Sequence, residues 1–388
     1  MISGDNRVRG LTCQGATMVR YVWQSDNWPA WSWDSSSLLK GLSGVRGGQG
    51  RLLAMVDSLL PEDAIGAAGD AAVEETITNS AVEGERLDER HVRSSVVRRL
   101  GIEWAGLPEP HSRELALVDA LLDATRGHAD MLTEKRLFSW HAALFPSGYS
   151  GLRTVRVGGW RQDDPMQVVS GPVGRERVHF EAPPSQRIPV EMATFLDWWN
   201  SPPKGLDGLL RAAVAHLWFV TIHPFDDGNG RLARLLTEMA LAQDEQRALR
   251  AYSLSGQILA RRDDYYSALA HAQRSDGDIT QWLQWFLVTL ESAIQAGQRN
   301  IEGVLARSRF WQRHRLAPIN VRQRKALDKM LDAGINGFQG GMTTRRYASL
   351  NRVSKPTAFR ELAELRDLGL LKSTGAGRSV RYGVAWEG

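Results

Sequence analysis

The chain has 388 residues, a formal net charge of +4 and 43% hydrophobic residues, enough to fill the cores of two or three soluble domains. Its apolar stretches break well before the 18 or more residues that span a bilayer, and no charged segment followed by an apolar run opens it, so a membrane anchor and a secretory leader are not expected. The single cysteine, Cys13, cannot form an internal disulfide, which fits a reducing, cytoplasmic setting.

Residues 1–17 are polar and glycine-containing and read as a disordered N-terminus. Residues 18–65 follow as a small helical domain. It opens with Tyr21 and four tryptophans in eleven residues, Trp23, Trp28, Trp31 and Trp33, which need a surface to pack on and are expected to form a small aromatic core. Helical runs follow at 37–43 and 50–60. Between them Gly47-Gly48-Gln49-Gly50 lacks the Lys-Ser/Thr ending of a phosphate loop and reads as a linker. Residues 71–82 read as a helix, with Gly84 placed as its C′ residue. Glu83 then stands at the negative end of the helix dipole, where a carboxylate is disfavoured unless a cation meets it. Residues 152–157 and 167–169 have strand composition and predict a hairpin, broken by Gly158, Gly159 and Ser170-Gly171-Pro172. Val178, His179 and Phe180 come after it.

The chemistry is concentrated in His223-Pro224-Phe225-Asp226-Asp227-Gly228-Asn229-Gly230-Arg231-Leu232-Ala233-Arg234. Apolar helical runs lie on both sides. Pro224 biases His223 out of the α region, so the first helix should end there. Gly228 and Gly230 allow a tight turn and close approach to a ligand. The second helix should begin near Arg231, with its N-terminal N–H groups facing the loop as an anion site. A neutral imidazole takes a proton near pH 7. Asp227 is a hard oxygen ligand of the Mg²⁺ type. Asn229 can donate to a phosphate oxygen. Arg231 and Arg234 are three apart on a helix and carry forks that match phosphate oxygens. These parts suit attack on a nucleoside-phosphate phosphorus.

The segment fits HxFx(D/E)GNGRxxR at every defined position, and so resembles the signature of the Fic family. The resemblance implies transfer of AMP from ATP to a protein hydroxyl, with pyrophosphate leaving. It makes His223 the catalytic base and Asp227 the Mg²⁺ ligand. It gives the phosphates to Gly228, Asn229, Gly230, Arg231 and Arg234. By the same resemblance residues 21–60 are like a small helical domain that often precedes the catalytic domain in bacterial Fic proteins. Asn79-Ser80-Ala81-Val82-Glu83-Gly84 is similar to the family's inhibitory helix, (S/T)xxxE(G/N), with Asn79 where Ser or Thr is usual. Glu83 is thereby implied as an inhibitory residue. The hairpin at 152–184, with Val178, His179 and Phe180, is implied as a flap that pairs with the target segment. Tyr265 and Tyr266 are implied at the adenine or ribose pocket, one lining it and the other in the core, with Ser253 and Ser255 weaker pocket candidates.

The C-terminal part is basic: residues 303–388 carry a balance of +11, against −7 for the rest. After a linker at 301–317, residues 318–388 read as helices over 321–331, from 343 onward, and from Ser354 with Pro356 in the first turn. A β-wing from Gly369 through Arg378 to Tyr382 closes the module. This resembles a winged helix-turn-helix, with Lys355 and Arg360 on the recognition helix and DNA as a partner; such modules also serve in dimerisation.

The sequence therefore predicts a mainly α protein: a Fic-domain helical core over 66–300 with a small β-hairpin flap, a small helical domain before it and a winged helix-turn-helix after it. The favoured activity is Mg²⁺-dependent AMP transfer from ATP to a Ser, Thr or Tyr of a protein target, or of the chain itself, restrained by Glu83. Removal of AMP at the same site is one alternative. A DNA-binding regulator whose core only senses nucleotide is another. No membrane partner is expected, and a homodimer is compatible.

Overall fold

The computed structural model describes residues 21–102, 106–170, 177–334, 338, 340–376 and 379–386. Residues 1–17 and the hairpin residues Gly171 and Pro172 lie outside that set, as does Arg378. In chain order the helices are α1 Ser35–Asp57, α2 Pro61–Val82, α3 Glu89–Leu100, α4 Ser112–Arg126 and α5 Glu134–Leu144. Strands β1 Tyr149–Ser150, β2 Arg153–Thr154, β3 Gln167–Ser170 and β4 Arg177–Glu181 follow. Then come α6 Ile188–Asn200, α7 Gly208–Ile222, α8 Asn229–Glu245, α9 Leu254–Ala260, α10 Arg262–Ala272 and α11 Thr280–Arg313. The chain closes with α12 Val321–Leu331, α13 Thr344–Asn351, α14 Lys355–Asp367, β5 Leu371–Thr374 and β6 Arg381–Val384. The protein is mainly helical, as expected. No helix among the described residues is long and apolar enough to cross a membrane.

Two compact units share these elements. One takes in residues up to Leu39, Asp130–Leu241 and Arg261–Phe286. Its centre is α7, where every residue from Leu209 to Ile222 is buried. Asp207 caps that helix by accepting from the Leu209 N–H at 2.8 Å, as an N-cap carboxylate does. Leu217, Phe219 and Ile222 of α7 and Leu232, Leu236 and Met239 of α8 are fully buried. The Trp282 indole donates to the Ala213 carbonyl at 2.9 Å, which satisfies a buried donor.

The hairpin of this unit differs from the expected one. Residues 153–154 pair with 149–150, not with 167–169. It is β3 that pairs antiparallel with β4, Val168 opposite Phe180, with an irregularity between Val168 and Val169. Val178, His179 and Phe180 are thus part of the hairpin itself. The N-terminal aromatics find their surface on it: Tyr21 and Trp23 join Phe180 and Ala182 in one buried cluster, with Trp28 packed against it. The Trp23 indole donates to the Glu181 carbonyl at 2.7 Å, and that of Trp28 to Glu191 Oε2 at 2.7 Å.

The second unit holds Lys40–Ala129, Ala242–Ala260 and the chain from Leu287 onward. Here Gly47-Gly48-Gln49-Gly50 is no linker but the middle of α1. Packing outweighs glycine's low helix propensity: a Cβ on Gly48 would stand 3.3 Å from Ile294 Cγ2, so the bare backbone lets two helices approach. Helix α2 starts at Pro61, earlier than the expected residue 71, with Pro61 in its first turn. It ends with Glu83 as C-cap and Gly84 at φ 83°, the C′ position expected of it.

The described residues of 321–384 carry three helices and an antiparallel hairpin, Leu371 opposite Val384, and Met342 bridges to Tyr382. Ser354 caps α14 by accepting from the Thr357 N–H, and a proline follows in the first turn, both as expected. Leu327, Leu331, Tyr347, Leu362, Leu365 and Tyr382 form the core of this part.

Candidate active site

Helix α7 ends at His223, whose backbone is left-handed at φ 53°, ψ 58°. The expectation that the helix stops there is met. The conformation adopted is not the extended one that a following proline favours. The His223 N–H still donates to the Phe219 carbonyl at 3.0 Å, so the chain turns away only after the last helical bond. The Nδ1 atom of His223 lies 3.1 Å from the Val220 carbonyl. A carbonyl only accepts, so Nδ1 carries the hydrogen and Nε2 keeps the basic lone pair.

Phe225 is buried and lies flat against His141, ring centroids 4.1 Å apart at 11°. Burial lowers the His141 pKa from its ordinary value, and His141 Nε2 meets the Asp227 carbonyl at 3.1 Å. Asn229 folds back on Phe225: its Oδ1 accepts from the Phe225 N–H at 3.0 Å and its Nδ2 donates to the Phe225 carbonyl at 2.8 Å. This clasp shapes the loop, a role the sequence reading did not give to Asn229. Asp227 accepts from the Gly228 N–H at 2.6 Å and from the Ser150 hydroxyl at 2.5 Å. Asp226 accepts from the Arg156 N–H at 2.8 Å.

Gly228 needs to be glycine on two counts. Its φ is 81°, and a Cβ would meet Phe145 Cε2 at 2.9 Å and Leu144 Cδ1 at 3.0 Å. Helix α8 begins at Asn229, with the first i→i−4 bond from Leu232 N–H to the Gly228 carbonyl at 3.0 Å. Gly230 is therefore in the first helical turn and not in the loop, two residues earlier than the expected start. Arg231 and Arg234 are both buried on this helix, and the Arg231 guanidinium lies 4.8 Å from the Phe145 ring centre. A helix start with two guanidinium groups has the chemistry to meet a multiply charged anion.

Tyr265 is 1% exposed. Its hydroxyl meets His216 Nε2 at 2.9 Å, and His216 Nδ1 meets the Thr237 hydroxyl at 2.9 Å. It is the core member of the tyrosine pair. Tyr266 is 37% exposed, with the Arg262 guanidinium 5.5 Å from its ring centre. Burial, helped by the positive charge of Arg234, pushes the His216 pKa down to about 3. In the flap Phe180 is 2% exposed within the aromatic cluster, whereas Val178 and His179 are half-buried. The His179 carbonyl accepts from Arg274 at 2.7 Å.

Glu83 belongs to the other unit, where it is exposed at the end of α2. Ser253 and Ser255 belong to that unit too, and both are buried. Both hydroxyls donate to the buried carboxylate of Glu75 on α2, as does the Ser255 N–H at 3.0 Å.

The sequence reading missed Ser150, His141 and Arg161, the last of which donates to the His223 carbonyl at 2.8 Å. A histidine in an apolar helical run reads as core, and nothing local marks Ser150 or Arg161.

Comparison with known proteins agrees with this geometry. Residues 131–241 match the family described as Fic/DOC family, and residues 21–102 match a domain of unknown function, DUF4172. A protein named protein adenylyltransferase fic-1 from Caenorhabditis briggsae is 31% identical over 106 residues, 27% of this chain and 19% of that protein. A probable protein adenylyltransferase from Aquifex aeolicus is 31% identical over 94 residues, 24% of this chain and 27% of its own length. A protein adenylyltransferase Fic from Nematostella vectensis is 35% identical over 117 residues, 29% and 25% of the two chains. The matched region thus spans about a fifth to a quarter of these curated relatives. The crystal structure of a Fic family protein from Desulfovibrio desulfuricans G20 has a similar fold, with a TM-score of 0.51 and 22% identity, covering 92% of this chain and 98% of that one.

Proposed function

This chain carries a Fic/DOC family domain over residues 131–241, and from that premise we propose that it is a protein adenylyltransferase. His223 Nε2 takes the proton of a target hydroxyl as the oxygen attacks the α-phosphorus of ATP. The new P–O bond forms, the bond to the β-phosphate oxygen breaks, and pyrophosphate leaves with that electron pair. Arg231, Arg234 and the first N–H groups of α8 hold the β- and γ-phosphates. The observation that carries this reading is the His223 turn. Its Nδ1 is committed to Val220, which leaves Nε2 as the base, and the turn runs through six residues into a helix start bearing two buried arginines.

Asp227 fits a Mg²⁺ ion. It is a hard oxygen donor pinned by Ser150 and Gly228, and Mg²⁺ is commonly held by one or two carboxylates together with phosphates and water. Among the described residues no group of three or more His, Cys, Asp or Glu could hold a metal by itself, so the nucleotide would supply the other ligands. When bound, the ion neutralises phosphate charge. The target hydroxyl is that of a Ser, Thr or Tyr in a segment laid along the β3–β4 flap as an added strand. Tyr266, the outer member of the pair, serves the nucleoside end.

Activity is held down by Glu83. Its segment is similar to the family's inhibitory helix, and an anion that competes with the γ-phosphate for a guanidinium fork would displace the triphosphate. A misplaced triphosphate loses about 100-fold in rate for a small displacement. The test is transfer of label from ATP with Mg²⁺ present. Label in the wild-type chain or a partner, absent in His223→Ala, supports the reading. No transfer even in Glu83→Gly overturns it.

The basic balance of residues 303–388 favours a second, separate activity. Lys355, Arg360, Lys372 and Arg381 are exposed on α14 and the β5–β6 hairpin. Residues 318–388 are accordingly proposed to be a winged helix that contacts DNA phosphates.

A further inference from the structure

A left-handed backbone at a residue other than glycine is strained and persists only where its surroundings hold it there. His223 is such a residue, and Pro224 removes the N–H that could have helped to pin the turn. Arg161, 62 residues earlier in the chain, grips the turn from outside it. Arg161 Nε donates to the His223 carbonyl at 2.8 Å, and the Arg161 backbone N–H donates to the Pro224 carbonyl at 2.9 Å. Its remaining donors reach the two ends of the flap. Nη1 donates to Asp164 Oδ1 at 2.9 Å and to the Asp163 carbonyl at 3.3 Å, just before β3. Nη2 donates to the Pro183 carbonyl at 2.5 Å, just after β4. Asp164 completes the clamp by accepting from the Ser185 N–H at 2.9 Å and from its hydroxyl at 2.6 Å. The Arg161 side chain is 1% exposed, so its fork bonds in a dry setting where geometry is strictly kept.

We propose that Arg161 is a positioning residue for the base. By tying two successive carbonyls of the His223 turn to both ends of the β3–β4 flap, it fixes the imidazole edge relative to the strand on which a hydroxyl would be laid. The proposal rests on the reading of His223 as base and of the flap as the seat of the target. Lysine at 161 could keep the charge beside Asp164 but could not reach the carbonyls of His223 and Pro183 together.

The test compares wild type, Arg161→Lys and Arg161→Gln in the full chain, on a Glu83→Gly background if the wild type is slow. Three quantities are measured: kcat for AMP transfer, the Kd for ATP, and the long-range ¹H–¹⁵N spectrum of the histidine rings, with His223 assigned by its loss in His223→Ala. The expected result is a fall in kcat of about 10- to 100-fold, with the Kd for ATP within about threefold. The His223 signals should leave the Nδ1–H tautomer pattern while the other histidines stay in place. Free guanidinium at millimolar concentration should restore part of the rate in Arg161→Gln. Unchanged kcat and unchanged His223 signals overturn the proposal, as does loss of ATP binding in parallel with kcat. If the parent chain transfers nothing but the His223 signals still move in Arg161→Lys, the positioning role stands and the adenylyltransferase reading fails. Should Arg161→Gln not fold, Arg161→Lys carries the same comparison.

Discussion

At the level of single residues, the proposed proton transfer falls to one nitrogen, Nε2 of His223. His223→Ala removes Nε2 and should lower transfer by about 10²–10⁴-fold, the usual cost of losing a general base. ATP binding should persist, because the groups proposed to hold the phosphates, α8 and its arginines, are left in place; calorimetry with ATP and a label-transfer assay check the two halves separately. A second histidine gives a pH prediction. His216 stays neutral in the folded chain down to about pH 3, whereas in the unfolded chain it titrates near 6.5. Below about pH 6.5 the unfolded state takes up a proton that the folded state refuses. This site therefore removes stability as pH falls from about 6.5 toward 3, by about 1.4 kcal/mol per pH unit. His216→Gln should flatten the urea midpoint between pH 7 and 5, and an unchanged slope would contradict the assignment. The residues of the motif were legible in the sequence because their chemistry is contiguous. Those that hold it were not: Ser150 and His141 meet Asp227 across 77 and 86 positions, and Arg161 meets His223 across 62. No local pattern encodes such a contact.

At the scale of elements, glycines separate local propensity from packing. Gly50 is exposed within α1, and a Cβ there would meet nothing within 4 Å. Gly50→Ala should therefore stabilise by about 0.5–1 kcal/mol through backbone entropy. Gly297 lies in α11, where a Cβ would stand 2.6 Å from the Ala251 carbonyl oxygen. Gly297→Ala should lower the denaturation midpoint, so the same substitution in two helices carries opposite signs. Gly228→Ala combines a positive φ with a clash against Phe145 and Leu144. It should depress both stability and transfer, read by melting temperature and label incorporation. Helix ends were read well where a cap announces them, as at Ser354 and Gly84. The glycine-rich stretch of α1 misled because the reason for glycine, close approach to Ile294, lies far along the chain. The hairpin misled for a like reason. Strand composition marks residues 152–157, but pairing is decided by which segment meets which, and β4 won that place beneath Tyr21 and Trp23.

At the scale of the whole chain, the C-terminal helices and hairpin should act independently of catalysis. A chain ending near residue 317 should keep AMP transfer and lose DNA binding, and the affinity of the full chain for DNA should fall steeply with salt as counterions are released. Absence of binding at low salt in a gel-shift would favour dimerisation instead. The mainly helical fold was legible in outline, since helical periodicity and the 223–234 motif are written in contiguous sequence. Restraint of AMP transfer by Glu83 can be read by intact-mass measurement after incubation with ATP and Mg²⁺. Wild type, Glu83→Gly, and Glu83→Gly with His223→Ala are compared, alone and with candidate target proteins. A mass increment of one AMP is expected to be weak in wild type, strong in Glu83→Gly and absent in the double variant. An increment unchanged or reduced in Glu83→Gly would contradict it, and loss of AMP removal from a modified target in that variant would mark Glu83 as a hydrolytic residue instead.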